Sequence, residues 1–99
     1  MNTETLTKTI TEILKQYPVQ KAAIFGSYAR NEQTPTSDID LVVDFDEGII
    51  TEFFDLYDEL EETFGVKVDI LTSWSINRAE PEDRFMANVK KDLRWFYAR

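Results

Sequence analysis

Phe25-Gly26-Ser27-Tyr28-Ala29-Arg30, followed by Ser37-Asp38-Ile39-Asp40-Leu41-Val42-Val43, sets a phosphate-sized turn ten residues ahead of two carboxylates spaced i, i+2. In a strand, residues two apart share a face, so Asp38 and Asp40 are expected to point the same way, roughly 6.6 Å apart along the strand axis. Two such charges repel by roughly 0.6 kcal/mol in water and by about 2.5 kcal/mol at an effective dielectric near 20. A domain stable by only about 5 to 15 kcal/mol is not expected to carry that repulsion uncompensated. A divalent cation compensates it, and Mg²⁺ is the usual choice where one or two carboxylates share the ion with substrate phosphates. The stretch therefore reads as a metal-dependent nucleotide site.

The flanking sequence supplies the scaffold. Leu6, Ile10, Ile13, Leu14 and Tyr17 recur at helical spacing until Pro18 stops them, predicting a first helix over residues 3–16. A short strand runs over 21–25. Gly26 ends it, Ser27 is placed to cap a short helix holding Tyr28, Ala29 and Arg30, and Asn31, tolerant of left-handed geometry, closes that helix. After a loop over 33–37, residues 38–45 alternate: Ile39, Leu41, Val43 and Phe45 on a core face, Asp38, Asp40, Val42 and Asp44 on the other. Ile49, Ile50, Phe53, Phe54, Tyr57, Leu60 and Phe64 form a strong amphipathic stripe that Gly65 terminates. Val66, Val68 and Ile70 then alternate with Lys67, Asp69 and Leu71, predicting a third strand that shows Asp69. Past a loop carrying Trp74, Pro81 suits a first helical position, and Phe85, Met86, Val89, Leu93 and Phe96 mark the inner face of a last helix.

Composition narrows the chemistry. Ninety-nine residues with 42% apolar content fit one domain over 1–99. With no cysteine and no histidine, disulfides, thiolate zinc sites and imidazole bases are excluded, which leaves carboxylates, Ser, Lys, Arg, Tyr or a bound metal. Neither a signal peptide nor an apolar run of membrane-spanning length is evident, so a cytoplasmic location with no membrane partner is expected. Residues 1–77 hold 15 acidic against 5 basic side chains, and residues 78–99 hold 4 against 6. An acidic body repels a phosphate backbone, so a nucleic-acid substrate is not expected. For most of Glu52, Asp55, Asp58, Glu59, Glu61 and Glu62 the simpler role is a solvated, solubilising surface.

Gly26-Ser27, Asp38-Ile39-Asp40 and Asp69 on a later strand together resemble the DNA polymerase beta-like nucleotidyltransferase superfamily. Within it, the Phe-Gly-Ser-Tyr-Ala-Arg wording, the Val-Asp-Ile-Leu strand and the length are similar to the minimal nucleotidyltransferases, the antitoxins paired with HEPN-domain ribonuclease toxins. The resemblance runs through nearly the whole chain, most specifically over 21–71. It implies a small α/β (α+β) fold with a mixed three- to four-stranded sheet, two Mg²⁺ ions, ATP as substrate, and AMP transfer to a tyrosine hydroxyl of a HEPN toxin. Asn31 departs from the glycine that many relatives place after the arginine; asparagine also accepts left-handed geometry, so little harm is expected.

On that resemblance Asp38 and Asp40 bind the metals, and Asp69 joins one metal beside the acceptor and helps remove its proton. Gly26 lets backbone approach a phosphate, Ser27 offers a hydroxyl and N–H groups, and Arg30 neutralises triphosphate charge. Each has a plainer alternative: a simple turn for Gly26 and Ser27, an ion pair with Lys67 for Asp69, and a surface arginine for Arg30. Tyr28 lines the nucleotide pocket or packs in the core, and Asp44 is a solvated or paired strand-end residue. Trp74, Trp95 and Tyr97 either form a protein interface or fold over the core. The rival functions are an antitoxin that masks its toxin by contact alone, for which a broken triad would speak, and a nucleotidyltransferase acting on a small-molecule hydroxyl.

Overall fold

Asn2 opens helix α1 (Thr3–Leu14), its side chain accepting a hydrogen bond from the Thr5 backbone N–H at 2.7 Å. That satisfies one of the donors a helix start leaves unpaired. The structure is a computed structural model and describes residues 1–46 and 51–99. From α1 the chain continues through β1 (Val19–Phe25), α2 (Gly26–Ala29), β2 (Ile39–Phe45), α3 (Thr51–Phe64) and β3 (Val68–Thr72). It closes with α4 (Ser73–Asn77), α5 (Arg84–Asp92) and β4 (Arg94–Ala98). The four strands form one mixed sheet in the order β3-β2-β1-β4. β2 pairs antiparallel with β1 and parallel with β3, and β4 pairs antiparallel with β1. The parallel β2–β3 pair needs a crossover, and α3 supplies it. The α/β class with a mixed sheet, expected above, is the observed one.

Alternation along the strands builds two cores. On one face, Ala22, Ile24, Ile39, Leu41, Val43 and Val68 meet Leu6, Ile10 and Leu14 of α1 and Leu56 and Leu60 of α3. On the other, Ala23, Phe25 and Val42 meet Ile76 of α4 and Val89 of α5. The second core corrects the sequence reading of β2: its carboxylate face is not wholly open, because α4 and α5 cover it at Val42, which is buried.

Four further expectations change. The expected last helix stops at Asp92, and Leu93, Trp95, Phe96 and Tyr97 leave it for β4 and the turn into it. The physical reason lies in β1, a buried strand whose second edge would otherwise present unpaired backbone groups. A register shift between Ala22 and Ala23 pairs them with Tyr97 and Trp95 respectively, so Phe96 is an extra residue and its two neighbours face opposite sides. Tyr97 packs against the first core, while Trp95 remains half exposed beneath the Lys21 Nζ, 4.6 Å from its ring centroid. Trp74 sits in α4 rather than a loop, under the Arg78 guanidinium. Pro81 precedes α5 instead of starting it; Asp83 is the cap, accepting from the Met86 N–H at 3.0 Å. Ser27 is inside α2, whose cap position is Phe25 with no side-chain cap bond.

Among the described residues of α3, Leu56 and Leu60 are buried and Phe53 and Phe64 partly buried, while Phe54 is 60% exposed. Phe54 lies about 100° around the helix from Phe53, off the stripe. Ile49 and Ile50, the start of the expected stripe, lie outside the described residues. Among the described residues no helix is long and apolar enough to cross a membrane. Because Leu56 is fully buried, Leu56→Ala is expected to lower unfolding free energy by about 2–5 kcal/mol. Phe54→Ala should change it by no more than about 0.5 kcal/mol. Urea denaturation of the two variants checks this, and the reverse order would refute the packing of α3.

Candidate active site

Strand register brings the candidate residues together. Phe25 stands opposite Asp40 across the β1–β2 pair, and Asp40 stands opposite Asp69 across the β2–β3 pair. Three adjacent strands therefore deliver Gly26, Asp40 and Asp69 to one end of the sheet. Gly26 has φ +72°, a left-handed conformation, and a Cβ added there would collide with Asp40 Oδ2. Only glycine meets both demands without strain. The short α2 that follows is anchored from outside itself: the buried Thr3 hydroxyl donates to the Tyr28 carbonyl at 2.7 Å, and the Arg94 guanidinium donates to the Ala29 carbonyl at 3.2 Å. Asn31 closes it at φ 57°, the left-handed geometry expected of it.

Gly26, Arg30, Asp40 and Asp69 line a cleft of about 450 Å³. Ile70, Leu71, Phe85 and Val89 provide its apolar lining, with Asn88 and Asp92 alongside. Ser27 and Asp38 are not in that lining; Asp38 is exposed and immediately precedes β2, two residues from Asp40. Tyr28 resolves to packing, 5% exposed in the first core. Phe85, Asn88 and Asp92 join the cleft without any warning in the sequence. The pattern had set Phe85 on an inner helix face, yet it is 58% exposed. Only the docking of α5 on β1 aims this helix at the cleft.

The electrostatics are those of crowded acids. Burial, then the charges of Asp69 and Asp38, push the Asp40 carboxyl up from its ordinary 3.8 to about 6. Asp40 and Asp69 lie within hydrogen-bonding reach, a contact that also favours the protonated form of Asp40. Among the described residues Lys67 is the cation that offsets this, its Nζ 3.7 Å from Asp69 Oδ1, and both side chains are too exposed for that pair to count for much. The plainer alternative for Asp69 thus coexists with its place in the cleft. Arg30 is held by Glu32 at 3.1 Å and by Asp92 from α5.

A divalent cation suits this donor set. Asp40 and Asp69 are hard oxygen donors whose mutual repulsion has only a weak counter-charge, and Asp38 stands nearby. Among the described residues no group of three or more acidic side chains is arranged to enclose an ion unaided. Mg²⁺ asks for less, since it usually takes one or two carboxylates and completes its shell with phosphate oxygens and water.

Known proteins share both the sequence pattern and the fold of this chain. The family model for polymerase beta nucleotidyltransferases matches residues 8–98. A candidate protein adenylyltransferase of Methanocaldococcus jannaschii is 49% identical over 78 residues, 78% of this chain and 84% of that protein. The solved structure of a candidate minimal nucleotidyltransferase superposes with a TM-score of 0.70 at 30% identity, covering 95% of both chains. A chain from the complex of tri-AMPylated Shewanella oneidensis HEPN toxin with an MNT antitoxin shares the fold at a TM-score of 0.67 and 17% identity, covering 98% of this chain and 73% of that one.

Gly26→Ala must displace the Asp40 carboxylate and also adopt a strained φ. It is expected to lose stability by about 1 kcal/mol or more and to bind Mg²⁺–ATP more weakly, as calorimetry would read. Parental binding by a folded Gly26→Ala variant would refute the close approach. The raised Asp40 pKa makes a second expectation. A carboxyl whose folded pKa exceeds its unfolded value contributes stability that is complete below pH ~4 and lost as pH rises through ~6. In excess chelator, Asp40→Asn should therefore be the more stable protein at pH 7.5, by at most about 3 kcal/mol, and less because Asp40 is only half-buried. The gap should close toward pH 4.5. A pH-independent gap in paired denaturation curves would contradict it.

Proposed function

The chain belongs to the polymerase beta nucleotidyltransferase family, and from that premise we propose that it is a protein adenylyltransferase that transfers AMP from ATP to a tyrosine hydroxyl of a HEPN-domain ribonuclease toxin, and so acts as that toxin's antitoxin. The observation that carries this reading is the convergence of Gly26, Asp40 and Asp69 on one cleft. Support for the protein acceptor comes from the 49% identical relative named for adenylyltransferase activity and from the shared fold with the chain of the AMPylated-toxin complex. Residues 1–99 serve in this reading as one minimal nucleotidyltransferase domain.

In the transfer, the tyrosine oxygen bonds to the α-phosphorus of ATP, the bond from that phosphorus to the bridging oxygen breaks, and pyrophosphate departs. The tyrosine proton is lost. Gly26 admits the triphosphate close to backbone because it has no Cβ, and Arg30 supplies positive charge at the cleft mouth once it exchanges Asp92 or Glu32 for phosphate oxygens. Asp40 and Asp69, with Asp38 beside them, would hold Mg²⁺, two ions in the full assignment. When bound, the metal neutralises charge on the transferring phosphoryl group and on the leaving group. Asp69 is assigned to the acceptor side, where its carboxylate receives the tyrosine proton. Asp40 is the more shielded of the pair and positions the triphosphate end.

Asp69→Asn keeps the shape of the side chain but removes its charge. Removing a group that matters chiefly in the transition state lowers the transfer rate with little change in ground-state binding, and loss of a proton acceptor costs about 10²- to 10⁴-fold. The measurement pairs equilibrium binding of a non-hydrolysable ATP analogue and Mg²⁺ with single-turnover AMP transfer, followed by intact mass of the co-expressed toxin. Transfer at the parental rate would reduce Asp69 to a partner of Lys67. An unmodified toxin mass with the parental protein would overturn the adenylyltransferase reading itself.

A further inference from the structure

Apart from Asp92, which holds Arg30, helix α5 gives the cleft a wall that the phosphoryl chemistry does not use. Val89, 2% exposed, and the partly buried Met86 seat this helix on Ala23, Phe25 and Val42. Phe85 and Asn88 stand on the flank next to that buried stripe, three residues apart and so side by side on the helix surface. Both are exposed, and both line the cleft together with Ile70 and Leu71. A single exposed aromatic is ordinary on a protein surface. Phe85 is set apart by its place: it lines the same concave cleft as Gly26, Arg30, Asp40 and Asp69.

A cleft lined by both ionic and apolar side chains matches a molecule that carries both kinds of surface. A nucleoside triphosphate has a charged chain and a flat, weakly hydrated base, and about 450 Å³ lies within the range of small-molecule sites. Resting on the nucleotide reading above, we propose that Phe85 and Asn88 form the base subsite: Phe85 stacks on the purine, and the Asn88 amide reads its edge. Stacking tolerates every base, because each has a π-face. Discrimination therefore falls to Asn88. Its amide carries a donor and an acceptor side by side, the complement of adenine, which pairs an N6 amino donor with a ring-nitrogen acceptor. Guanine presents O6 and N7, two acceptors, on the corresponding edge, and one amide cannot match both.

The test is calorimetric titration, with Mg²⁺, of ATP, GTP and inorganic tripolyphosphate against the parental protein, Phe85→Ala, Phe85→Trp, Asn88→Ala and Asp40→Asn. Loss of a stacked base should weaken ATP and GTP about 5- to 100-fold in Phe85→Ala, leave tripolyphosphate unchanged, and be restored in Phe85→Trp. Asn88→Ala should bring ATP and GTP affinities together. Asp40→Asn should weaken all three ligands. Parental ATP affinity in Phe85→Ala, or an equal loss for tripolyphosphate, overturns the stacking assignment, and an unchanged ATP-to-GTP ratio in Asn88→Ala overturns the edge contact. If the parental protein binds neither ATP nor tripolyphosphate, the nucleotide reading fails instead, and the two failures are told apart by that one control.

Discussion

The site depends on the antiparallel register that sets Phe25 opposite Asp40. That pairing carries the next residue, Gly26, so close to the Asp40 carboxylate that a single additional carbon would not fit. Much else follows from it. The chain must turn at a left-handed φ, the turn must be glycine, and α2 must start at once. The parallel pairing of β2 with β3 then adds Asp69 across from Asp40. A shift of β2 by one residue would turn every side chain to the opposite face, emptying both the first core and the cleft.

The same geometry leaves an electrostatic debt in an already acidic chain. Asp40 is half-buried beside two more carboxylates, and its carboxyl is pushed up to about 6. A residue type selected for stability alone would not be placed there, since an asparagine or an apolar side chain removes the repulsion. Perturbed titration in a cleft is how functional groups commonly betray themselves. Here the perturbation originates first in burial and then in the charges of Asp69, which strand pairing sets across from it, and Asp38.

The second face of the sheet does two jobs. Val42, Ala23 and Phe25 are sealed by Ile76 and Val89, while Asp40 and Asp69, at one end of the sheet, line the cleft. The boundary is drawn by α5, whose buried side stabilises the sheet and whose flank lines the cleft. Arg30, linked to Asp92 of α5, ties the turn after β1 to the far wall. Thr3, at the very start of α1, reaches the same turn through Tyr28.

The sequence by itself determined the local chemistry. Period-2 alternation over Ile39, Leu41 and Val43 and period-3.6 spacing over Leu6, Ile10 and Leu14 left little choice of element, Gly26 announced the end of its strand, and Asn31 announced left-handed geometry through residue type. The candidate carboxylates were legible because Asp38 and Asp40 stand two apart after the Gly26-Ser27 turn and Asp69 interrupts an otherwise apolar strand. Tertiary structure decided what periodicity could not. Five residues, Arg94–Ala98, are too few to separate a strand from the last turn of a helix, and it is the open edge of β1, demanding hydrogen-bond partners, that draws them into the sheet. Leu56 was hidden among louder aromatics, and the burial of Leu56 over Phe54 depends on where α3 crosses the sheet. The roles of Phe85, Asn88 and Asp92 in the cleft were invisible for the same reason: a helix carries its own periodicity in the sequence, but the surface it faces exists only once the strands beneath it have paired.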